Sequence, residues 1–186
     1  GRKQYETQLA SYDKLVSDTI NSQYSGELQN SFMLVKKQAQ ALLDSVNQLI
    51  AVVNEPEIQQ ALIDVRDGLQ RVMDKFNETG MRDIDSLIEI VAELRDITDK
   101  LTTALQDLQQ RLNAQGDTAG TTAGELADDL QVQQSLNNIY NTLESTIKAM
   151  DDVPGLMDQF TQIVGSYSQQ QLQAYIKFTE AREMLN

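Results

Sequence analysis

The sequence predicts an all-α fold, an elongated antiparallel helical bundle, on three observations. Apolar residues recur in alternating steps of four and three, the rhythm of helices packed along a shared seam. No segment sustains the alternation of a half-buried strand. The chain holds 2 prolines in 186 residues, so little interrupts a helix once it has started.

Taken in order, the first element is expected over 3–24. The second, 27–53, carries the seam Leu28, Phe32, Val35, Ala39, Leu42, Val46, Leu49 and Val53. The third, 57–78, repeats it through Ile58, Leu62, Val65, Leu69, Val72 and Phe76. The fourth, 82–113, runs Ile84, Leu87, Val91, Leu94, Thr98, Leu101, Leu105, Leu108 and Leu112, with one threonine at a seam position. Two more helices follow over 124–150 and 155–185. The corners are marked by composition. Asn54, Glu55, Pro56 and Glu57 combine an N-cap, acidic residues and a first-turn proline, so one helix ends there and another begins. The run from Asp151 to Gly155, with Pro154 inside it, is a second reversal of that kind. Ser25-Gly26 and Thr79-Gly80 are softer and kink a continuing helix.

With both soft points read through, the first four elements form two rods of about 50 residues, each ~75 Å long at 1.5 Å per residue. They pair as a hairpin with its tip at Pro56. The last two helices are half as long and cover only the half away from the tip. The expected organisation is a proximal four-helix module, 1–26 and 80–186, from which 27–79 projects as a helical-hairpin arm. Both chain ends then fall at the base. Leu94 lies in the four-helix core, whereas Leu42 lies on a thinner two-helix seam. Thr98 and the run Gln169 to Gln171 place a polar layer in the module.

One segment is rich in glycine: Gly116, Gly120 and Gly124, four apart. A phosphate loop needs a strand before it and Lys-Ser/Thr after it, and neither is present. Small-residue packing in a membrane needs an apolar helix, which Asp117, Thr118, Thr121 and Thr122 deny. The segment reads as a connector, whose Thr122 and Glu125 have capping-box spacing for the helix that follows.

Charge and missing residue types restrict the chemistry. A net charge of -13, from 15 Lys+Arg against 28 Asp+Glu, repels nucleic-acid phosphates and anionic membrane surfaces, so neither is expected as a partner. The absence of cysteine and histidine removes disulfides, thiolate nucleophiles, the commonest general base and the usual zinc ligands. Asp83/Asp85, Asp128/Asp129 and Asp151/Asp152 sit near expected helix starts or turns, where negative charge suits the helix dipole better than acid–base work. Asp96 and Asp99 fit no calcium loop. No catalytic residue, metal or cofactor is therefore expected. Asn77, Glu78 and Thr79 form a glycosylation triplet of the kind that arises by chance.

The six tyrosines are unevenly placed. Tyr5, Tyr12, Tyr24, Tyr140, Tyr167 and Tyr175 all fall on the first and last two expected helices. An apolar body with a polar tip suits rim packing, interfaces and small-ligand pockets alike. Tyr5, Tyr12, Tyr140, Tyr167 and Tyr175, with Thr98, are the candidate ligand or partner surface.

No run reaches the ~18–20 apolar residues of a membrane span, and no signal peptide opens the chain. Gly1 in place of an initiator Met points to a piece of a longer protein, with any anchor outside it. The expected function is a non-enzymatic helical protein-interaction or scaffold module, extracytoplasmic and carried by a larger protein. The alternatives are a small-ligand sensory bundle of a membrane receptor and a self-associating coiled coil. The layout resembles extracytoplasmic domains inserted between two membrane helices, such as bacterial phage-infection-type membrane proteins or the helical sensor bundles of chemoreceptors. That resemblance is one of architecture and carries no motif.

Overall fold

The computed structural model describes residues 11, 14, 15, 17–80, 83–116, 130–155, 158 and 162, and the regular structure among them is α-helical. The elements are α1 (17–23), α2 (Ser25–Val52), α3 (Pro56–Thr79), α4 (Ile84–Gly116) and α5 (130–155).

The seams predict the core well. All the seam residues of α2 and α3 are buried, as are those of α4 from Ile84 to Leu108, Thr98 included. Phe32 and Phe76 meet edge to face at 6.2 Å between ring centroids, joining α2 to α3. This arrangement sets the positive edge of one ring against the negative face of the other.

The first soft point behaves as expected. Tyr24 N–H donates to Ile20 O at 3.0 Å and Leu28 N–H to Tyr24 O at 2.9 Å, so helical bonding passes through a bend from α1 into α2.

The second does not. Gly80 adopts φ 63, the left-handed conformation that ends a helix and that glycine enters at little cost. The chain reverses there, and Asp83 starts α4 by accepting the Asp85 N–H at 3.1 Å and the Ser86 hydroxyl at 3.2 Å. A second cap arrives from far upstream: Asn21 Oδ1 accepts the Ile84 N–H at 2.9 Å. α4 therefore runs back along α3, and the two-rod hairpin is replaced by helices that go up, down and up again.

The α2–α3 corner records the same reversal. Arg111, near the end of α4, donates to Glu55 at 2.7 Å and to Glu57 at 2.8 Å. In two continuous rods Arg111 would lie on the order of 80 Å from Pro56. The corner itself differs in detail from its sequence signature. Glu55, not Asn54, precedes the first helical residue, and no side chain caps the α3 N-terminus. Gln59 instead reaches back to the end of α2, donating to Ile50 O at 3.4 Å and to Val53 O, just past the helix, at 3.3 Å.

α5 lies antiparallel along both α2 and α4. Ser45 and Thr142 share a hydroxyl hydrogen bond at 3.1 Å, Thr146 donates to Gln38 O at 3.3 Å, and Arg95 pairs with Asp151 at 2.9 Å. The segment 27–79 is consequently not a projecting arm: α3 packs along α4, and α2 meets α4 and, at Gln38 and Ser45, α5. Leu42 is as completely buried as Leu94, both at 0% exposure.

The expected reversal at Asp151–Gly155 is also corrected, because all five residues continue α5. Met150 and Val153, three residues apart, are both held in the core, while Pro154 faces outward. Packing on the inner face outweighs the loss of one backbone bond at an exposed position. The connector at Gly116–Gly124, the Thr122 box, Gln169 to Gln171 and the helix expected over 155–185 lie largely or wholly outside the described residues.

Candidate groove between α3 and α4

A stripe of residues at helical spacing on α3, Asp64, Gly68, Arg71 and Lys75, faces a matching stripe on α4, Glu89, Glu93, Asp96 and Lys100. Between them runs an open groove of about 840 Å³, floored by Val65, Gly68, Ala92 and Ile97. Gly68 sets how closely the two helices approach. A Cβ built there would stand 3.1 Å from Ile97 Cδ1 and 3.2 Å from Ile97 Cγ1, inside ordinary carbon contact distance. The groove has an apolar floor, narrowed at Gly68 and Ala92, with ionised groups standing along both rims.

Those groups largely pair with one another. Lys75 contacts Glu93, and Glu89 at 3.8 Å; Lys100 pairs with Asp96 at 3.2 Å; Arg66, just outside the groove, pairs with Asp67 at 3.3 Å. The hydrogen bond to Glu93, ahead of the attraction of both carboxylates, holds the Lys75 ammonium above the ordinary lysine pKa. At the α2–α3 corner, hydrogen bonds to Glu57 and Glu55 raise that of Arg111 in the same way. Both shifts favour the charged form. They describe ion pairs that hold helices together, not a base tuned to give up a proton near neutrality.

A smaller recess of about 390 Å³ lies where α1 meets the start of α4, lined by Lys14, Ser17, Asp18, Asn21, Asp83 and Asp85. Asn21 and Asp83 are already engaged there as caps of α4.

Tyr5, Tyr12, Tyr167 and Tyr175 lie outside the described residues. Tyr140 stands on α5 at 36% exposure, and Thr98 on α4 is buried at 2%. With Arg95 opposite Asp151, the antiparallel register puts Thr98 and Tyr140 about two helical turns apart. The Thr98 hydroxyl is satisfied within its own helix, donating to Arg95 O at 2.8 Å. Of the acidic pairs, Asp83 caps α4 and Asp151 pairs with Arg95. Asn77 accepts a hydrogen bond from Lys36 Nζ at 3.1 Å. Among the described residues no three His, Cys, Asp or Glu side chains are placed to hold a metal ion, and no helix is long and apolar enough to cross a membrane.

Two features were missed from the sequence. Gly68 is the one glycine between Gly26 and Gly80, and a lone glycine inside a strong helical pattern marks a close approach. The hydroxyl contacts from Thr142 and Thr146 to α2 had no such signal, because threonines on a helix are commonplace. No protein-family model matches the chain, and no curated protein and no solved structure matches it.

Proposed function

We propose that this chain is a non-catalytic helical protein-interaction module whose working surface is the face formed by α3 and α4. The observation that carries the proposal is the groove: an apolar floor, narrowed at Gly68 and Ala92, between two rows of charges most of which pair among themselves. Such a surface suits helix-against-helix contact, with apolar area at the centre and ion pairs at the rim. A small-ligand site would ask for a more enclosed, mostly apolar pocket with a few converging polar groups, and the described tyrosine and threonine do not converge. The ordered aliphatic core behind the groove supplies rigidity, since both walls are long helices fixed from behind by α2.

A photo-reactive residue placed at Ala92, on the groove floor, tests this in the protein's natural setting. The expected result is a discrete protein adduct that is absent when the same group is placed at Gln48, on the exposed side of α2. No adduct at Ala92, or an equal smear from both positions, overturns the proposal.

A further inference from the structure

We infer that the partner seated on the α3–α4 face is a second copy of this chain, antiparallel to the first, about a two-fold axis level with Gly68. The inference rests on the protein-interaction proposal and names the occupant.

It starts from which charges in the groove are satisfied. Lys75 has Glu93 and Glu89, Asp96 has Lys100, and Asp67 has Arg66. Among the charged residues that line the groove, two are left without an ion pair. Asp64 accepts only the Gln60 amide, at 3.0 Å. Arg71 has no hydrogen bond or ion pair among the described residues, and its guanidinium reaches back over Gly68, 3.7 Å from the position a Cβ would take. The two are opposite in sign and exposed. They stand seven residues apart on one stripe of α3, about two turns.

A two-fold axis midway between them, at Asp67 and Gly68, brings Asp64 of each copy to Arg71 of the other. A second copy carries this spacing by construction, whereas an unrelated partner would have to match it. α4 repeats the pattern at the same level. Glu93 and Lys100 are also seven apart, and their midpoint falls beside Ile97, the residue packed on Gly68. The same axis therefore opposes Glu93 of each copy to Lys100 of the other. A two-fold contact of this kind is closed and self-complementary, so it ends at a dimer.

Size and charge set the strength. α3 has 24 residues, so with α4 beside it the face measures ~36 Å by ~20 Å, on the order of 700 Å², near the ~800 Å² per partner of a standard interface. Against it stand the net charge of -13 on each copy and the meeting near the axis of the two Asp96 and the two Asp67 side chains, each with its own Lys100 or Arg66. The dimer is accordingly weak.

Sedimentation equilibrium of the whole chain, from about 10 µM to about 1 mM, tests it. The wild type is expected to show a reversible monomer–dimer equilibrium. Asp64→Arg and Arg71→Glu each turn both α3 pairs repulsive and should weaken it by about tenfold or more. An equimolar mixture of the two variants should associate at least as tightly as the wild type, because every opposed α3 position in the mixed pair then carries opposite charges. Both side chains are exposed, and circular dichroism checks that helicity is kept; Asp64→Asn and Arg71→Gln serve as milder replacements. A wild type that stays monomeric throughout, single variants that associate like the wild type, or a mixture no tighter than its components each overturns the second-copy inference. With a monomeric wild type, an Ala92 adduct of some other mass would leave the broader interaction proposal standing, while the absence of any adduct would remove both.

Discussion

Gly68→Ala measures directly whether α3 and α4 touch where the structure places their contact. Replacing an interior helical glycine by alanine ordinarily stabilises a helix by about 0.8–1 kcal/mol, because glycine loses more backbone freedom on folding. At this site the new Cβ would meet Ile97 Cδ1 at 3.1 Å and Cγ1 at 3.2 Å, some ~0.3–0.9 Å short of the 3.5–4.0 Å optimum. Ile97 must yield, and turning its side chain off a rotamer costs roughly 0.5–1.5 kcal/mol. The two effects nearly cancel, so Gly68→Ala alone should shift stability by less than ~0.7 kcal/mol in either direction. In an Ile97→Ala background the obstacle is gone and the full gain of ~1 kcal/mol should appear. Urea denaturation of the four proteins gives the coupling directly, expected at about 0.5–1.5 kcal/mol. A stabilisation of ~1 kcal/mol in both backgrounds, with no coupling, would mean that no side chain of α4 lies over Gly68. The antiparallel packing of α3 on α4 would then be wrong.

Three further outcomes follow from the helix arrangement. Spin labels at Asn54 and Asn113 should report a distance below ~30 Å, since Arg111 reaches Glu55; two continuous rods would place them on the order of 80 Å apart. Leu42→Asp and Leu94→Asp should be comparably severe, each costing roughly 4 kcal/mol or more in denaturant unfolding, because both sites are fully buried; a mild Leu42→Asp would restore the exposed arm. The folded-state pKa of Lys75 is raised, so its contribution is fully present below the unfolded value of about 10.4 and is lost as pH rises through the folded one. Lys75→Met should therefore flatten the alkaline loss of stability, and an unchanged pH profile above ~10 would show that the Glu93 pair adds nothing.

The seams were legible because a heptad-like rhythm is local. Leu28 to Val53 and Ile58 to Phe76 each declare a buried stripe without reference to anything distant. The path of the chain was not legible, and Gly26 and Gly80 show why. Each sits after a helical run and beside a hydroxyl residue, yet Gly26 stays helical while Gly80 turns left-handed. What distinguishes them lies elsewhere, in Asp83 and in Asn21, which reaches Ile84 from 63 positions away. Pro154 misled for a related reason: the signal for a turn was present, but Met150 and Val153 held that stretch against the core. The groove could be half seen. Gly68 was visible as an isolated glycine, but the freedom of Asp64 and Arg71 is a property of register, since it depends on Lys75 and Lys100 taking the nearest α4 carboxylates first.

The hydrogen bond from Thr146 to Gln38 spans 108 positions, and this separation orders assembly in time. α2 with α3, and α3 with α4, are neighbours in sequence and join through short turns, so their contacts close small loops and form early. α5 must close a loop several times longer to reach α2. On the ribosome, at about 5–20 residues per second, α2 to α4 emerge some seconds before α5 is complete. During that interval the sides of α2 and α4 that α5 will cover are open to water or to other chains. α5 thus acts as a closing step, and the nascent α2–α4 intermediate is a point at which this protein is exposed to misassembly.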